Sequence, residues 1–115
     1  MAYRVDIVLD QGTDSEASYE FFDNSNRPIS FSGYTAQMQV RRTATSQTVI
    51  DDLSTEGTPD RIGFCGNLVT IKWPRSVTQE IKAGRYVYDL EVTSPNGAVT
   101  RLMEGAFVIK QEVTR

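Results

Sequence analysis

The chain has 115 residues, which is enough for one domain with a single hydrophobic core. Its formal net charge is −3, so a nucleic-acid partner is not expected, because such binders normally carry a basic stripe. No apolar run reaches the roughly 18 residues of a membrane span, and the first residues lack the apolar centre of a signal peptide, so we expect neither a membrane protein nor an exported one.

Most of the chain is predicted to form strands, because apolar and polar side chains alternate with a period of two between clusters of turn-forming residues. In chain order, the predicted strands cover residues 3–9, 16–22, 34–41, 48–53, 61–65, 68–73, 84–92 and 99–103. Ile29 and Phe31, which lie in the loop before the third strand, are expected to return apolar side chains to the core. Strands this short with almost no helix predict a β-sandwich.

The last two predicted strands are expected to form a hairpin. Asn96 and Gly97 lie between them, and an Asn-Gly pair is a strong hairpin signal because both residues tolerate positive φ. Gly105 is predicted to mark a β-bulge, because Leu102 and Phe107 cannot share a face across a regular strand.

One short helical turn is predicted within residues 76–83. Ser76 and Gln79 have the spacing of a capping box, and Gly84 is expected just past the end of the helix. Ile81 would anchor this turn in the core. We expect one domain spanning residues 1–115, whose ends at 1–4 and 110–115 act as short arms toward a partner.

The sequence offers little for catalysis or for cofactor binding. It contains no histidine, which removes the commonest general base and metal ligand. Cys65 is the only cysteine, so it has no disulfide partner, and its apolar neighbours predict a small buried hydrophobe. We therefore expect a protein that is not an enzyme and that binds neither a cofactor nor a metal.

Loop carboxylates leave two alternatives open. Asp51 and Asp52 are adjacent, and a pair of carboxylates can perform the acid–base catalysis of a glycosidase-like site. Asp10, Asp14 or Asp23 offer oxygen ligands of the kind that calcium prefers. We favour a third interpretation, in which these side chains cap the backbone of local turns.

A few apolar side chains fall on the water-facing phase of their strands, where a half-buried sheet does not need them. These residues are Val8, Phe22, Val87 and Val108. Local bulges or strand twist explain them in one interpretation. In the other, a partner protein covers part of this surface, with Phe22 as its anchor and with Arg27 and Pro28 beside it. We take these six residues as the candidate partner interface.

Several motifs carry a resemblance to a known family. Phe-Ser-Gly-Tyr-Thr-Ala at 31–36 precedes a Met-Gln-Val-Arg strand, and Gly-Arg-Tyr-Val-Tyr-Asp-Leu at 84–90 precedes a Pro-Asn-Gly turn. Arg-Leu-Met-Glu-Gly-Ala-Phe-Val-Ile at 101–109 leads to a final Glu-Val-Thr-Arg, and Asp-Gln-Gly-Thr-Asp stands at 10–14. In this order they resemble the small immunoglobulin-like structural proteins of tailed bacteriophages, in particular the N-terminal domain of baseplate upper proteins.

The resemblance implies an all-β, immunoglobulin-like antiparallel sandwich of about seven or eight strands. It also implies a virion component, assembled in the host cytoplasm, that docks onto other virion proteins in many copies, often as trimers or rings. Longer relatives carry a receptor-binding or stalk region after this domain, and this chain ends at Arg115. The resemblance therefore favours a tail or baseplate adaptor or a fibre-anchoring protein, with a capsid decoration protein as the alternative.

A carbohydrate-binding module is the alternative from another class of protein. Such a module stacks sugars on exposed aromatic side chains, although most aromatics of this chain fall on the inner phase of their strands. The candidates are Tyr3, Tyr19, Tyr34, Trp73, Tyr86 and Tyr88.

Overall fold

The computed structural model describes residues 3–55 and 61–111, so parts of both predicted arms, residues 1–2 and 112–115, lie outside the described residues. Strands dominate the described chain, as the alternation predicts. The elements are β1 (Tyr3–Arg4), β2 (Ile7–Asp10), β3 (Ser15–Glu20), β4 (Thr35–Arg41), β5 (Val49–Ser54), β6 (Ile62–Cys65), β7 (Leu68–Trp73), α1 (Arg75–Thr78), β8 (Gly84–Thr93) and β9 (Val99–Lys110).

The strands form two sheets that pack face to face. In the larger sheet β1 and β2 lie beside β9, followed by β8, β4 and β5, while the smaller sheet has the order β3-β7-β6. With strands lettered in chain order, these are G-F-C-C′ and B-E-D of an immunoglobulin sandwich. The predicted all-β, immunoglobulin-like fold is therefore confirmed. One detail is wrong, because β1 and β2 run parallel to β9 and make the larger sheet mixed instead of antiparallel throughout.

The inner faces of both sheets supply one hydrophobic core. Met38 and Val40 of β4, Leu90 of β8 and Val69 and Ile71 of β7 are all completely buried. Full burial of side chains of this size stabilises the fold by roughly 1.5–3 kcal/mol each. The apolar positions of the alternating pattern are therefore the side chains whose burial stabilises the core.

A cluster of aromatic rings closes the core at the end where β3 finishes. Phe31 is buried as predicted, and its ring stacks on Phe64 with a centroid distance of 4.9 Å. The rings of Phe21 and Tyr34 pack edge-on against the ring of Phe31, at centroid distances of 5.9 and 5.5 Å. Offset-stacked and edge-to-face arrangements of this kind stabilise beyond area burial alone.

The first predicted strand is interrupted, and Gly105 is the physical reason. A Cβ atom at Gly105 would lie only 2.2 Å from the carbonyl oxygen of Val5, so only glycine permits this close approach of the two main chains. The chain is held there by the hydroxyl of Tyr88, which donates to the Val5 oxygen at 2.6 Å. The Ala106 N–H donates to Asp6 Oδ1 at 3.0 Å. Gly105 therefore accommodates the close approach of the segment between β1 and β2, which stays beside β9, and the bulge predicted at this glycine is wrong.

The bulge in β9 lies earlier in the strand. Leu90 pairs with Met103, but the next residue of β8, Glu91, pairs with Arg101, so Leu102 is the extra residue. Both Leu102 and Met103 are buried as a result. The extra residue restores the alternation for the rest of β9, which is the reason why Phe107 faces the core.

The predicted helical turn exists, but its boundaries and its cap differ from the prediction. α1 covers only Arg75–Thr78, begins after Pro74 and has no side-chain cap of its own, so the capping box is wrong. Asp14 supplies the cap instead, because its Oδ1 accepts the Arg75 N–H at 2.7 Å. Gly84 begins β8 instead of following the helix end. Ile81 is buried, as predicted.

A tyrosine corner further supports the immunoglobulin-like topology. Tyr86, near the start of β8, donates its hydroxyl hydrogen to the main-chain oxygen of Lys82. In antibody domains the corner tyrosine lies two residues before the second disulfide cysteine. Tyr88 holds that position here, and burial raises the pKa of its hydroxyl.

Candidate partner interface

The structure places the candidate interface residues in two separate regions. Val8, Val87 and Val108 lie on the outer face of the larger sheet, while Phe22 and the residues near it lie in the loop after β3. They therefore do not form one patch, which is a question of strand order that the sequence leaves open.

The three valines form one apolar group across neighbouring strands. Val8 is the direct partner of Val108, and Val87 is the direct partner of Ala106, which precedes Val108 on the same face of β9. Val8 is 53% exposed and Val87 is 36% exposed, whereas Val108 is half-buried. We call Val8, Val108, Ala106 and Val87 the valine strip. It crosses β2, β9 and β8 on the outer face of the larger sheet, where Val8 and Val87 are exposed and Ala106 is buried.

Charged side chains border the valine strip. Arg101 lies on the same outer face, with its Nε 3.4 Å from Asp89 and its Nη1 3.4 Å from Glu104. A shallow, open depression of about 660 Å³ runs beside the strip, with Arg4 and Arg85 also among its lining residues. An apolar centre with a charged border is the usual anatomy of a protein–protein interface.

Phe22 lies in a loop that is closed by hydrogen bonds. Its side chain is 40% exposed, and its main chain pairs with that of Pro28. Asp23 Oδ1 accepts the N–H groups of Ser25 and Arg27, at 2.8 and 3.0 Å, so the carboxylate closes the turn. Arg27 and Pro28 are exposed beside Phe22, as predicted.

Among the described residues, no group of three or more acidic, cysteine or histidine side chains is placed to hold a metal ion. Two of the carboxylates considered as calcium ligands bind the backbone instead. Asp14 caps α1, and Asp23 closes the loop after β3. Asp10 accepts a hydrogen bond from the Thr13 hydroxyl through its main-chain oxygen. The contacts of Asp14 and Asp23 fit the turn-capping interpretation of the loop carboxylates.

The adjacent pair Asp51 and Asp52 is divided between two roles. Asp51 binds Arg61 through both oxygens, at 2.8 and 2.9 Å, and the side chains are only 9% and 13% exposed. Arg61 also donates from Nε to the main-chain oxygen of Lys72 at 3.1 Å. Asp52 points to solvent and accepts from Gln37. The Asp51–Arg61 pair joins β5 of the larger sheet to the smaller sheet, and no local signal in the sequence reveals it.

Cys65 is exposed, which contradicts the prediction that it is buried. The prediction rested on its apolar neighbours. In β6, however, Ile62 and Phe64 face inward, and Cys65 takes the alternate, outward phase.

The aromatic residues considered for sugar binding belong mostly to the core. Trp73, Tyr86 and Tyr88 are buried, and Tyr19 and Tyr34 are half-buried. Tyr3, at 49%, is the one exposed member of the six candidates. One exposed ring does not make a flat stacking platform, so this surface gives the carbohydrate alternative no support.

No helix among residues 3–55 and 61–111 is long and apolar enough to cross a membrane. No protein-family model matches the chain, and no curated protein matches it either. A solved structure with a similar shape is the crystal structure of CopC from Methylosinus trichosporium OB3b, at 13% identity and a TM-score of 0.41. The match covers 70% of this chain and 66% of that chain, which is less than two thirds of its length. This similarity is too distant to bear on what the protein does.

Proposed function

We propose that this protein is a non-enzymatic structural component of a tailed bacteriophage particle. In this role it is a tail- or baseplate-associated adaptor or fibre-anchoring protein that works through protein–protein interfaces. The valine strip is the observation that carries the binding role. The assignment to a phage particle is supported by the resemblance of the sequence motifs.

The exposed apolar surface of Val8 and Val87 is costly to leave in water. Apolar surface that becomes covered stabilises a complex by about 25 cal/mol per Å². The strip is the centre of an interface and not the whole of it, because standard interfaces bury on the order of 1,600 Å² in total. Arg101, Asp89 and Glu104 at its border suit a rim that sets the orientation of the partner.

The partner expected at the valine strip is another virion protein or another copy of this chain in a ring or trimer. Because β2, β9 and β8 are hydrogen-bonded into one sheet, the strip is presented without prior ordering of the surface. An interface of that kind loses little conformational entropy on binding.

Particles of the phage or prophage that carries the gene test this proposal. Mass spectrometry of purified particles is expected to detect the protein, and gold labelling is expected to mark the tail tip or the collar. Label spread over the head would instead identify a capsid decoration protein. Absence from the disrupted particles would disprove the virion role.

A further inference from the structure

The smaller sheet has an edge strand without a neighbour. In immunoglobulin sandwiches of the ABED type, the first strand lies beside strand B. Here both parts of the N-terminal segment, β1 and β2, pair with β9 instead, and β3 pairs only with β7. Within the described residues, the position beside β3 on its other side is therefore vacant.

The alternation of main-chain hydrogen bonds identifies which groups face this vacancy. The Phe21 N–H donates to the Asn67 oxygen at 3.1 Å, so Phe21 directs its main-chain groups toward the β7 side. Residues of an antiparallel strand alternate in this direction. Glu16, Ser18 and Glu20 therefore direct their N–H and C=O groups to the free edge.

Phe22 provides an independent check of this alternation. It is next in the series, and its carbonyl oxygen accepts a hydrogen bond from the Tyr3 hydroxyl at 3.3 Å, on the side of β1. A cleft of about 330 Å³ lies there between the edges of the two sheets, and Val5, Tyr19 and Met103 are among its lining residues. Apolar side chains of an added strand would enter this cleft.

The outer side of β3 carries two acidic side chains, with Lys72 of β7 as the direct cross-strand partner of the first, Glu16. Glu16 and Glu20 are exposed on alternate positions of β3, with Ser18 between them hydrogen-bonded to Thr70 at 3.0 Å. If a second copy paired antiparallel about Ser18, Glu16 would stand opposite Glu20 of that copy. Like charges directly opposite each other destabilise a strand pair, so this edge disfavours its own copy and favours a basic strand.

We propose that the free edge of β3 accepts an extended segment of a partner protein as an additional strand. The segment carries Lys or Arg at alternate positions, which face Glu16 and Glu20, and apolar side chains between them, which enter the cleft. Main-chain hydrogen bonds supply affinity in this mode of binding, and the alternate side chains supply specificity. This inference does not rest on a virion role and concerns a different surface from the valine strip.

The first test uses a synthetic peptide that alternates lysine and valine. A second peptide of the same composition, with all lysines before all valines, is the control. In NMR amide-exchange measurements, the alternating peptide is expected to slow exchange at Glu16, Ser18 and Glu20 by about tenfold or more at saturation. The amides of β5, which is also an edge strand, are expected to exchange as before.

Charge reversal supplies the second test. The double variant Glu16→Lys/Glu20→Lys is expected to weaken binding of the alternating peptide by about tenfold. Asp52→Lys, which makes the same kind of change on the exposed side of β5, is expected to leave binding unchanged.

Three results would overturn the inference. One is equal binding of the two peptides, or no binding of either. Another is protection of amides on other strands only. The third is a dimer of the free protein in which the β3 amides are already protected, since a second copy would then occupy the edge. Each is read on wild-type protein, so a variant that fails to fold does not affect the conclusion.

Discussion

The outer faces of the two sheets cover the same core but present different chemistry to their surroundings. The larger sheet shows Val8, Val108 and Val87 on strands where water would favour polar side chains. The smaller sheet shows Glu16 and Ser18 at equivalent positions. The core constrains only the inner faces, so the packing of the core does not require this contrast between the outer faces.

The largest expected effect on stability is at Gly105 in the larger sheet, and Gly63 in the smaller sheet is its control. Gly105→Val places side-chain atoms against the Val5 carbonyl and must displace β1 and β2 from β9, so we expect a loss of about 3 kcal/mol or more in unfolding free energy. Gly63→Val in β6 meets nothing within 4 Å and is expected to change stability by less than about 0.5 kcal/mol. Urea unfolding measures the change in unfolding free energy for both variants. Equal changes would mean that the close approach of Val5 to Gly105 does not constrain this position.

The connection between the sheets is the next test. Asp51→Ala leaves the guanidinium of Arg61 largely buried without its partner, and we expect a loss of about 3 kcal/mol. Asp52→Ala, one residue away and exposed, is the matched control and is expected to cost less than about 0.5 kcal/mol. Similar urea midpoints for the two variants would show that the ion pair does not hold the sheets together.

The tyrosine corner gives a smaller effect, confined to the larger sheet. Tyr86→Phe removes the hydrogen bond to Lys82 while it keeps the buried ring, so we expect a loss of about 1 kcal/mol. Tyr3→Phe removes an exposed hydroxyl and is expected to change stability by only a few tenths of a kcal/mol. Thermal unfolding of the two variants, compared with wild type, distinguishes a corner that stabilises the fold from one that does not.

The smallest effect on stability is expected at the valine strip, where the effect on binding is expected to be large. Val8→Lys and Val87→Lys alter exposed side chains and are expected to shift unfolding free energy by less than about 0.5 kcal/mol each. Incorporation into particles, quantified by mass spectrometry, is expected to fall severalfold. Gly63→Lys puts the same charge on the outer face of the smaller sheet and should be incorporated normally. Normal incorporation of both valine variants would remove the strip as an interface.

Local features of the fold could be predicted from the sequence because local physics determines them. The alternation in β4 reflects burial of every second residue, from Ala36 to Val40. A turn between β8 and β9 forms at the predicted residues, with Gly97 at φ 90° and its N–H bonded to the Ser94 oxygen at 2.9 Å, although Asn96 does not take the positive φ that the Asn-Gly signal implies. Both signals involve residues within a few positions of each other, so no knowledge of the tertiary structure is needed to find them.

Contacts between distant segments could not be predicted in the same way. The cap of α1 comes from Asp14, which is 61 residues away from Arg75, and it replaces the predicted local capping box. The ion pair between Asp51 and Arg61 likewise depends on how two sheets meet. The alternation pattern predicts on which face of its strand each residue lies. It does not predict which other part of the chain packs against that face.

The candidate interface follows the same division. The outward phase of Val8, Val87 and Val108 could be predicted from alternation, and the structure places all three on one face. Their grouping depends on β2 pairing with β9, which joins the two ends of the chain. The separation of Phe22 from them depends on β3 belonging to the other sheet.

The position of β9 has a consequence for how the protein is made. This late strand lies inside the larger sheet, between β8 and the N-terminal strands, and the hydrogen bond from Ala106 to Asp6 joins residues 100 positions apart. The first strands therefore find their neighbour only after β9 has been synthesised. Until then β8 lacks its hydrogen-bonded neighbour along one edge. Contacts between such distant residues form slowly. The larger sheet is therefore completed only after residues 99–110 have been synthesised.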